Sequence, residues 1–347
     1  MTRTKLSQAR DEYLASRRSQ GIANGTIKNN RLHITALINT VGDIECRKVA
    51  PKHIDQTMAK QGRSNEGGAL GNYHATYTKF FRWCRSRGYM KPDQDPMAER
   101  RTPKFQKRER HLVPVHKFPL LLQVAGDRHP RDRAVIALGL FTMLRQSEIA
   151  RLRVADLDLD AETLAVYRQK TGTFDTLPVS AELDAEMRRW LTWYSARHGS
   201  LIPDWYLVPA RQQGSVRRSN RFANDPASPV VPSRRVSNMA DIAKAALEAA
   251  GEPLTDPSTG QATREGMHTL RRSAARARFD VLREEGYDGS IREVQSWLGH
   301  AQMGQTEGYI QITPDKDARN RRVQGQPMFP VDTGNVLPFR HEKDASG

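Results

Sequence analysis

The chain is 347 residues long, enough for two domains each with its own core, and it carries 55 Lys and Arg against 39 Asp and Glu, a formal net charge of +16. Such an excess points to a polyanionic partner, nucleic acid ahead of an anionic membrane, because each neutralised phosphate releases condensed counterions. No apolar run of membrane-spanning length and no charged-then-apolar N-terminal signal is present, and two cysteines, Cys46 and Cys84, make neither a disulfide framework nor a metal cage, so a reducing cytoplasm is expected.

Residues 1–99 read as helical. Apolar positions around Tyr13, Leu14, Ile27, Leu32, Ile34, Leu37, Ile38, Phe80, Phe81 and Trp83 recur near helical spacing, separated by stretches holding Gly21 and Gly25 and then Gly62, Gly67, Gly68 and Gly71. Residues 26–41 put Lys28, Arg31 and His33 on the more polar side. Residues 73–87 interleave Tyr, Phe and Trp with Lys79, Arg82, Arg85 and Arg87, a mixture suited to a DNA-facing helix. The same mixture also describes a solvated cationic face over an aromatic core.

Pro92, Pro96 and Pro103 mark a boundary. Arg100, Arg101, Lys104, Lys107, Arg108 and Arg110 follow, with Glu109 the one acid among them, so residues 100–111 read as an extended cationic linker that tracks DNA. Beyond it, residues 134–144 form an apolar helix that runs into a second helix start at residues 145–152. Residues 156–160 are a turn region. Residues 164–168 and 176–179 read as the strands of a hairpin, with Lys170, Thr171 and Gly172 near its turn. Residues 183–198 form an amphipathic helix, and residues 209–236 a loop too long to be a simple connector. Residues 237–250 form an Ala-rich helix closed by Gly251, and residues 267–285 a long helix closed by Gly286.

The next helix opens at Ser290, which with Glu293 fits a capping box. Ile291, Val294, Trp297 and Leu298 give it one buried face, and Gly299 ends it, because glycine turns there at little cost. His300 stands at the break and Tyr309 a short segment later. The tail from Gly325 carries two small apolar clusters, Met328 to Val331 and Val336 to Phe339, in a polar, turn-rich setting.

Four pieces therefore stand in order: Leu144-Arg145-Gln146-Ser147-Glu148; Lys170 at a hairpin; His268-Thr269-Leu270-Arg271; and Leu298-Gly299-His300 with Tyr309. No Walker sequence and no His/Cys cluster at zinc spacing competes with them. The set resembles the tyrosine recombinase (phage integrase-type) family. That family has an Arg box close to LRxSE, a hairpin Lys, HxLR, LGH, and a Tyr nine residues past the last His. The resemblance spans roughly Val113 to Ile312, and the N-terminal helices resemble the family's core-binding domain.

The resemblance implies a mostly α fold with a small β-sheet, an α+β catalytic domain joined to a helical core-binding domain as a C-shaped clamp around DNA. Its domains would be residues 1–99, the linker 100–111, a catalytic domain 112–324 and a tail 325–347 docking on a neighbouring protomer. It implies a site-specific recombinase that integrates and excises phage or mobile DNA through a 3′-phosphotyrosyl intermediate. Tyr309 would be the nucleophile, and Arg145, Lys170, His268, Arg271 and His300 would complete the catalytic set. Lys79, Arg82, Arg100, Arg101, Lys104, Lys107, Arg108 and Arg272 are the candidate DNA contacts. No metal or cofactor is implied. The partners would be double-stranded attachment sites, three further copies in a homotetramer on synapsed DNA (weakly associated or monomeric when free) and a directionality factor, in a bacterial cytoplasm at the nucleoid.

The residue types suit that chemistry. Two guanidiniums can clamp the non-bridging oxygens of a phosphate bidentately, which an ammonium does less well. His268 and Arg271 are three apart and share one helix face. A tyrosine of ordinary pKa ~10 needs a base or a cationic surround to attack, and His268 is the candidate base. Lys170 and Arg168 compete as general acid. Glu148 reads as an orienter of Arg145, Trp297 as core, and Arg272 and Arg276 as surface or phosphate-positioning charges. The chain begins almost directly with the core-binding helices, without a separate arm-binding domain, which fits an element with simple attachment sites better than a chromosome-dimer recombinase. A non-catalytic DNA-binding protein of the same fold and a nicking-closing topoisomerase are the competing readings.

Overall fold

The computed structural model describes residues 3–62, 67–103, 110–212, 226–255 and 265–311. Lys104, Lys107, Arg108, residues 213–225 of the 209–236 insertion and the tail from Gly325 lie outside the described residues. The chain divides into two compact units, Met1–Arg108 and Glu109–Gly347.

The first unit is helical, with α1 (Leu6–Ser19), α2 (Asn24–Val41), α3 (Pro51–Gly62) and α4 (Gly67–Ser86). Tyr73, Tyr77, Phe80 and Phe81 of α4 recur at helical spacing and turn inward onto Leu6, Tyr13, Leu14, Ile34, Leu37 and Ile54. Tyr13 meets Phe80 edge-on at 5.5 Å, the geometry that ring quadrupoles favour. Lys79 and Arg82 lie on the opposite, exposed face of α4. His33 does not lie on a polar face. It is buried, its Nδ1 stands 2.8 Å from Thr76 Oγ1, and its carbonyl accepts from the Tyr77 hydroxyl. Hydrogen bonding inside the core outweighs the polar position that spacing assigned to it.

The second unit runs α5 (Phe118–Arg128), α6 (Pro130–Phe141), α7 (Gln146–Ile149), β1 (Leu157–Asp158), β2 (Thr163–Arg168), β3 (Thr173–Pro178), α8 (Ala181–His198), β4 (Pro209–Arg211), β5 (Val230–Arg235), α9 (Met239–Ala249), α10 (Met267–Glu284), α11 (Ser290–Leu298) and α12 (Met303–Ile310). It is mostly α with small antiparallel sheets, β1-β2-β3 and β4-β5. The helix α6 is apolar on all sides and buried from Ala134 to Leu140, as a helix central to a core must be. It packs against α5, α8, α9 and α10. At Gly139 a side chain would begin 2.9 Å from Met267 Cε, so the missing Cβ makes room for the Met267 side chain of α10. Trp190 of α8 is sealed beneath, its indole N–H donating to the Leu207 carbonyl at 2.8 Å.

Several elements differ from expectation. The second helix start shrinks to the single turn α7. The 156–160 turn contains β1, whose backbone pairs with β2, and the 209–236 loop contains the β4–β5 ladder. Ser290 makes no capping bond, since Gly289 is the N-cap and the Glu293 carboxylate is taken by Arg278 at 2.8 Å. A charge-assisted tertiary bond wins over the local box. Trp297 is partly buried and packs on the core, as expected.

Truncation of Trp190 to Ala removes the largest fully buried side chain of this core. The second unit should lose ~3–5 kcal/mol of stability, read as an earlier urea midpoint by circular dichroism, with the first unit's transition unmoved.

Candidate active site

The site is built around one carboxylate. Glu148 lies on α7 with its side chain closed off from solvent. A buried carboxylate must be paired and hydrogen-bonded to stay charged. Its Oε2 accepts from the Arg145 backbone N–H at 2.7 Å and its Oε1 from Arg145 Nη1 at 2.9 Å. Arg168 Nη1 and Arg271 Nη1 stand 3.5 and 3.7 Å from Oε2, close enough for attraction and too far for hydrogen bonds. Three guanidiniums thus converge on one acid. The Nη1 atoms of Arg168 and Arg271 have no hydrogen-bond partner among the described residues.

Arg168 ends β2 and is committed to the fold. It donates to Asp175 at 2.8 Å and to the Trp297 carbonyl at 3.0 Å. Gly299 lies against it: a Cβ there would sit 3.4 Å from the guanidinium carbon. Gly299 also adopts φ +55, the left-handed turn that ends α11. Lys170, by contrast, is exposed in the turn between β2 and β3, and its charge acts on His300. Of the two candidates for general acid, Lys170 is the one with a free ammonium at the surface.

The first turns of α10 supply His268 and Arg271 on one face. Arg271 is buried and donates through Nη2 to the Leu298 carbonyl at 2.6 Å. Burial pushes its pKa down to about 10, opposed by Tyr309 and Glu148, so it stays protonated at neutral pH. Its guanidinium carbon lies 5.8 Å from the centroid of the Tyr309 ring. The His268 ring is open at the surface yet crowded by protein. The resulting loss of solvent, and then Arg271, Arg272, Arg145 and Arg110, lower its pKa and favour the neutral ring.

His300 follows Gly299, its backbone held on both sides by Gln295. Its Nδ1 stands 3.1 Å from the buried Thr306 hydroxyl. With Thr306 donating, the ring proton resides on Nε2. Burial, then Arg271, Arg145, Lys170 and Arg168, push its pKa down to about 4. The ring meets that of Tyr309 edge-on at 5.4 Å. Tyr309 is half-buried on α12, and its hydroxyl donates to the His268 carbonyl at 3.2 Å. Burial raises its pKa above the ordinary value, and Arg271, Arg272 and Arg145 pull against that rise.

Two residues hold α12: Arg276, which the sequence offered as a surface or phosphate-positioning charge and which is instead bound within the unit, and Gln311, which the sequence did not mark. Arg276 Nη1 reaches the carbonyls of Ile310 and Gln311 at 3.3 and 3.4 Å. Gln311, at φ +58, pairs its side-chain amide with the Arg110 main chain, accepting from the N–H at 2.9 Å and donating to the C=O at 2.7 Å. No local pattern signals a contact across such a sequence separation. Arg272 needs correction as a DNA contact. It is buried, and its guanidinium turns inward to the His111 carbonyl at 2.8 Å and Glu265 at 3.2 Å. Arg100 is likewise occupied, by Asp55 of its own unit, whereas Arg101 is exposed.

Six sequence-predicted residues, Arg145, Lys170, His268, Arg271, His300 and Tyr309, thus belong to one cationic neighbourhood. The sequence model of the phage integrase family matches residues 116–316, more than half of the chain. The chain belongs to the phage integrase family. Tyrosine recombinase XerC 2 of Ralstonia nicotianae is 29% identical over 253 residues, which are 70% of this chain and 62% of that protein, so the chain spans less than two thirds of this relative's length. Tyrosine recombinase XerC of Chromobacterium violaceum is 25% identical over 293 residues, 83% of this chain and 84% of that protein. Among solved structures, a lambda integrase dimer bound to a COC′ core site matches with a TM-score of 0.65 at 18% identity, over 88% of this chain and 77% of that one. The Tn1549 transposon integrase with transposon right end DNA matches at 0.64 and 11% identity, over 92% of this chain and 98% of that one. At these identities the two structures define the fold.

His300 gives a pH dependence with a definite sign. Its folded pKa of about 4 lies below the ordinary 6.5, so the unfolded chain takes up the proton first. The stability it contributes is complete above about pH 6.5 and is lost as the pH falls toward 4. Urea midpoints of the His300→Gln protein should therefore fall less steeply over that window than those of the wild type. The ring resonance of His300 should titrate near 4 by NMR; a midpoint near 6.5 would overturn the assignment.

Proposed function

We propose that the protein is a site-specific DNA recombinase of a phage or mobile element, cutting and rejoining DNA through a 3′-phosphotyrosyl intermediate. The observation that carries this reading is the Tyr309 hydroxyl held beside Arg271 within a surplus of guanidiniums. A phosphodiester under attack gathers negative charge on its non-bridging oxygens. Arg145 and Arg271, already oriented by Glu148, stabilise that charge without reorganising, and the buried setting strengthens the attraction. The neutral His300 donates a further hydrogen bond to the same phosphate.

The step balances within the chain's own groups. Tyr309 gives its proton to His268, whose lowered pKa keeps it neutral and able to accept. The phenolate oxygen bonds to phosphorus, the bond to the 5′ oxygen breaks, and Lys170 protonates that oxygen as it leaves. The energy of the phosphodiester is retained in the tyrosyl ester, so a 5′-hydroxyl from a second DNA reverses the step without an external energy source. Arg145, Lys170, His268, Arg271, His300 and Tyr309 are the catalytic residues of this reading. Lys79, Arg82 and Arg101 are its exposed DNA contacts in the first unit. The partners are double-stranded attachment sites and further copies of the chain on paired DNA. A directionality factor would bias integration against excision.

Tyr309→Phe should form no covalent adduct with a nicked suicide substrate carrying the attachment sequence, while binding that DNA almost as well as the wild type. An adduct on a denaturing gel from the Phe variant would move the nucleophile elsewhere.

Replacing Lys170 by Ala should slow cleavage of ordinary DNA by ~10²–10⁴-fold, the range of a general acid. A substrate with a 5′-bridging phosphorothiolate, whose leaving sulfur needs no proton, should be cut at nearly the wild-type rate. Equal losses on both substrates would remove Lys170 from the role.

A further inference from the structure

The β2–β3 hairpin carries an aromatic pair that the catalytic steps leave unused. Cross-strand register sets Tyr167 opposite Phe174, with ring centroids 5.1 Å apart. Leu164, Val166 and Leu177 face the core, so Tyr167 and Phe174 lie on the outer face with Ala165 and Thr176. Phe174 is 85% exposed and Tyr167 45%. Phe174 is the most exposed large hydrophobic side chain among the described residues. Folding does not require an aromatic ring there, since an outer strand position is filled as well by threonine.

Three observations tie the pair to the site. The Tyr167 hydroxyl leans over the turn, 4.0 Å from where a side chain at Gly172 would begin. The same turn carries Lys170, whose charge acts on His300. The rim is cationic: the Gln169 amide oxygen accepts from Arg151 at 2.8 Å, and the one hairpin acid beside the pair, Asp175, is turned inward onto Arg168. Aromatic rings bordered by cations, with no free carboxylate between them, match the surface that stacks unpaired nucleobases and repel an acidic peptide. An intact duplex offers no free base face to such a pair.

We propose that Tyr167 and Phe174 form a stacking platform for the first unpaired base on the 5′-hydroxyl side of the cut strand. This rests on the proposed function, which puts the leaving 5′ oxygen at Lys170 on the same turn. Strand exchange requires the released end to abandon its pairing before it reaches a second DNA. A platform beside Lys170 holds that end near the reacting centre while it is unpaired. Stacking on an aromatic side chain is sequence-tolerant, so the platform imposes no base at that position.

The test uses the full chain and a nicked duplex of arbitrary sequence with a short unpaired 5′-hydroxyl flap, 2-aminopurine being the first flap nucleotide. The control is the same nicked duplex fully paired. Wild-type protein should quench the flap fluorophore and bind the flap duplex ~10-fold more tightly than the control. Phe174→Ala and Tyr167→Ala should lose the quench and the preference and keep the affinity for the paired control, and Phe174→Trp should retain both. The substitutions are at exposed rings, and thermal melts should be unchanged. A preference that survives both Ala variants overturns the platform, as does an equal loss of affinity for both duplexes. A change only in self-association by ultracentrifugation also overturns it, making the pair a protein contact. Adduct formation on attachment-site DNA is scored separately. Wild-type protein that holds the flap through Phe174 but forms no adduct leaves the platform standing and removes the catalytic reading; adduct formation with a flap preference indifferent to Phe174 removes the platform alone.

Discussion

The carboxylate of Glu148 holds the candidate site together. Arginines crowded in a dry pocket repel one another, and a single buried acid offsets part of that repulsion for Arg145, Arg168 and Arg271 at once. The compensation is incomplete by construction, since one negative charge faces three positive ones. Arg168 draws on a second acid, Asp175. The uncompensated charge therefore falls to Arg145 and Arg271, both of which act on Tyr309. Among the described residues, the cluster thus keeps a net positive charge.

Those cations come from distant parts of the sequence, and the packing of α6 brings them together. Arg145 follows α6 by a few residues, and Arg271 sits in the first turns of α10. The two helices are in contact, with Met267 and Leu270 of α10 packed over Gly139. Arg168 then acts as a strut, joining the end of β2 to the last turn of α11 through Trp297 and Gly299. The rigid part of the site is thus spread over three helices and a sheet, as a preorganised charge cluster requires.

How much of this was legible in the sequence follows from what each residue answers to. The six candidate catalytic residues were legible because their chemistry demands particular types in a particular order, and they do share one neighbourhood. The helix ends at Gly251, Gly286 and Gly299 were legible because each takes positive φ. Contacts made across the fold left no local trace. Spacing put His33 on a polar face, but Thr76 of another helix draws it into the core. Spacing gave Ser290 a partner in Glu293, but Arg278 of α10 takes the carboxylate. Arg272 looked like a phosphate contact from composition alone, and its burial against Glu265 and His111 depends on tertiary packing. The strands β1 and β4 are too brief to show alternation, β5 shows none in its Val-Val-Pro-Ser-Arg-Arg run, and their pairing partners define them.

The helix bearing Tyr309 spans only Met303–Ile310, too short to persist on its own. Its position is borrowed from separate places: Thr306 at His300, Ile310 in the core, Arg276 at its last carbonyls, and Gln311 on the main chain of Arg110. Each anchor is weak and each reports on a different part of the unit. The position of the Tyr309 hydroxyl is therefore joined to three places at once: the helix break at Gly299, the α10 face and the main chain of Arg110.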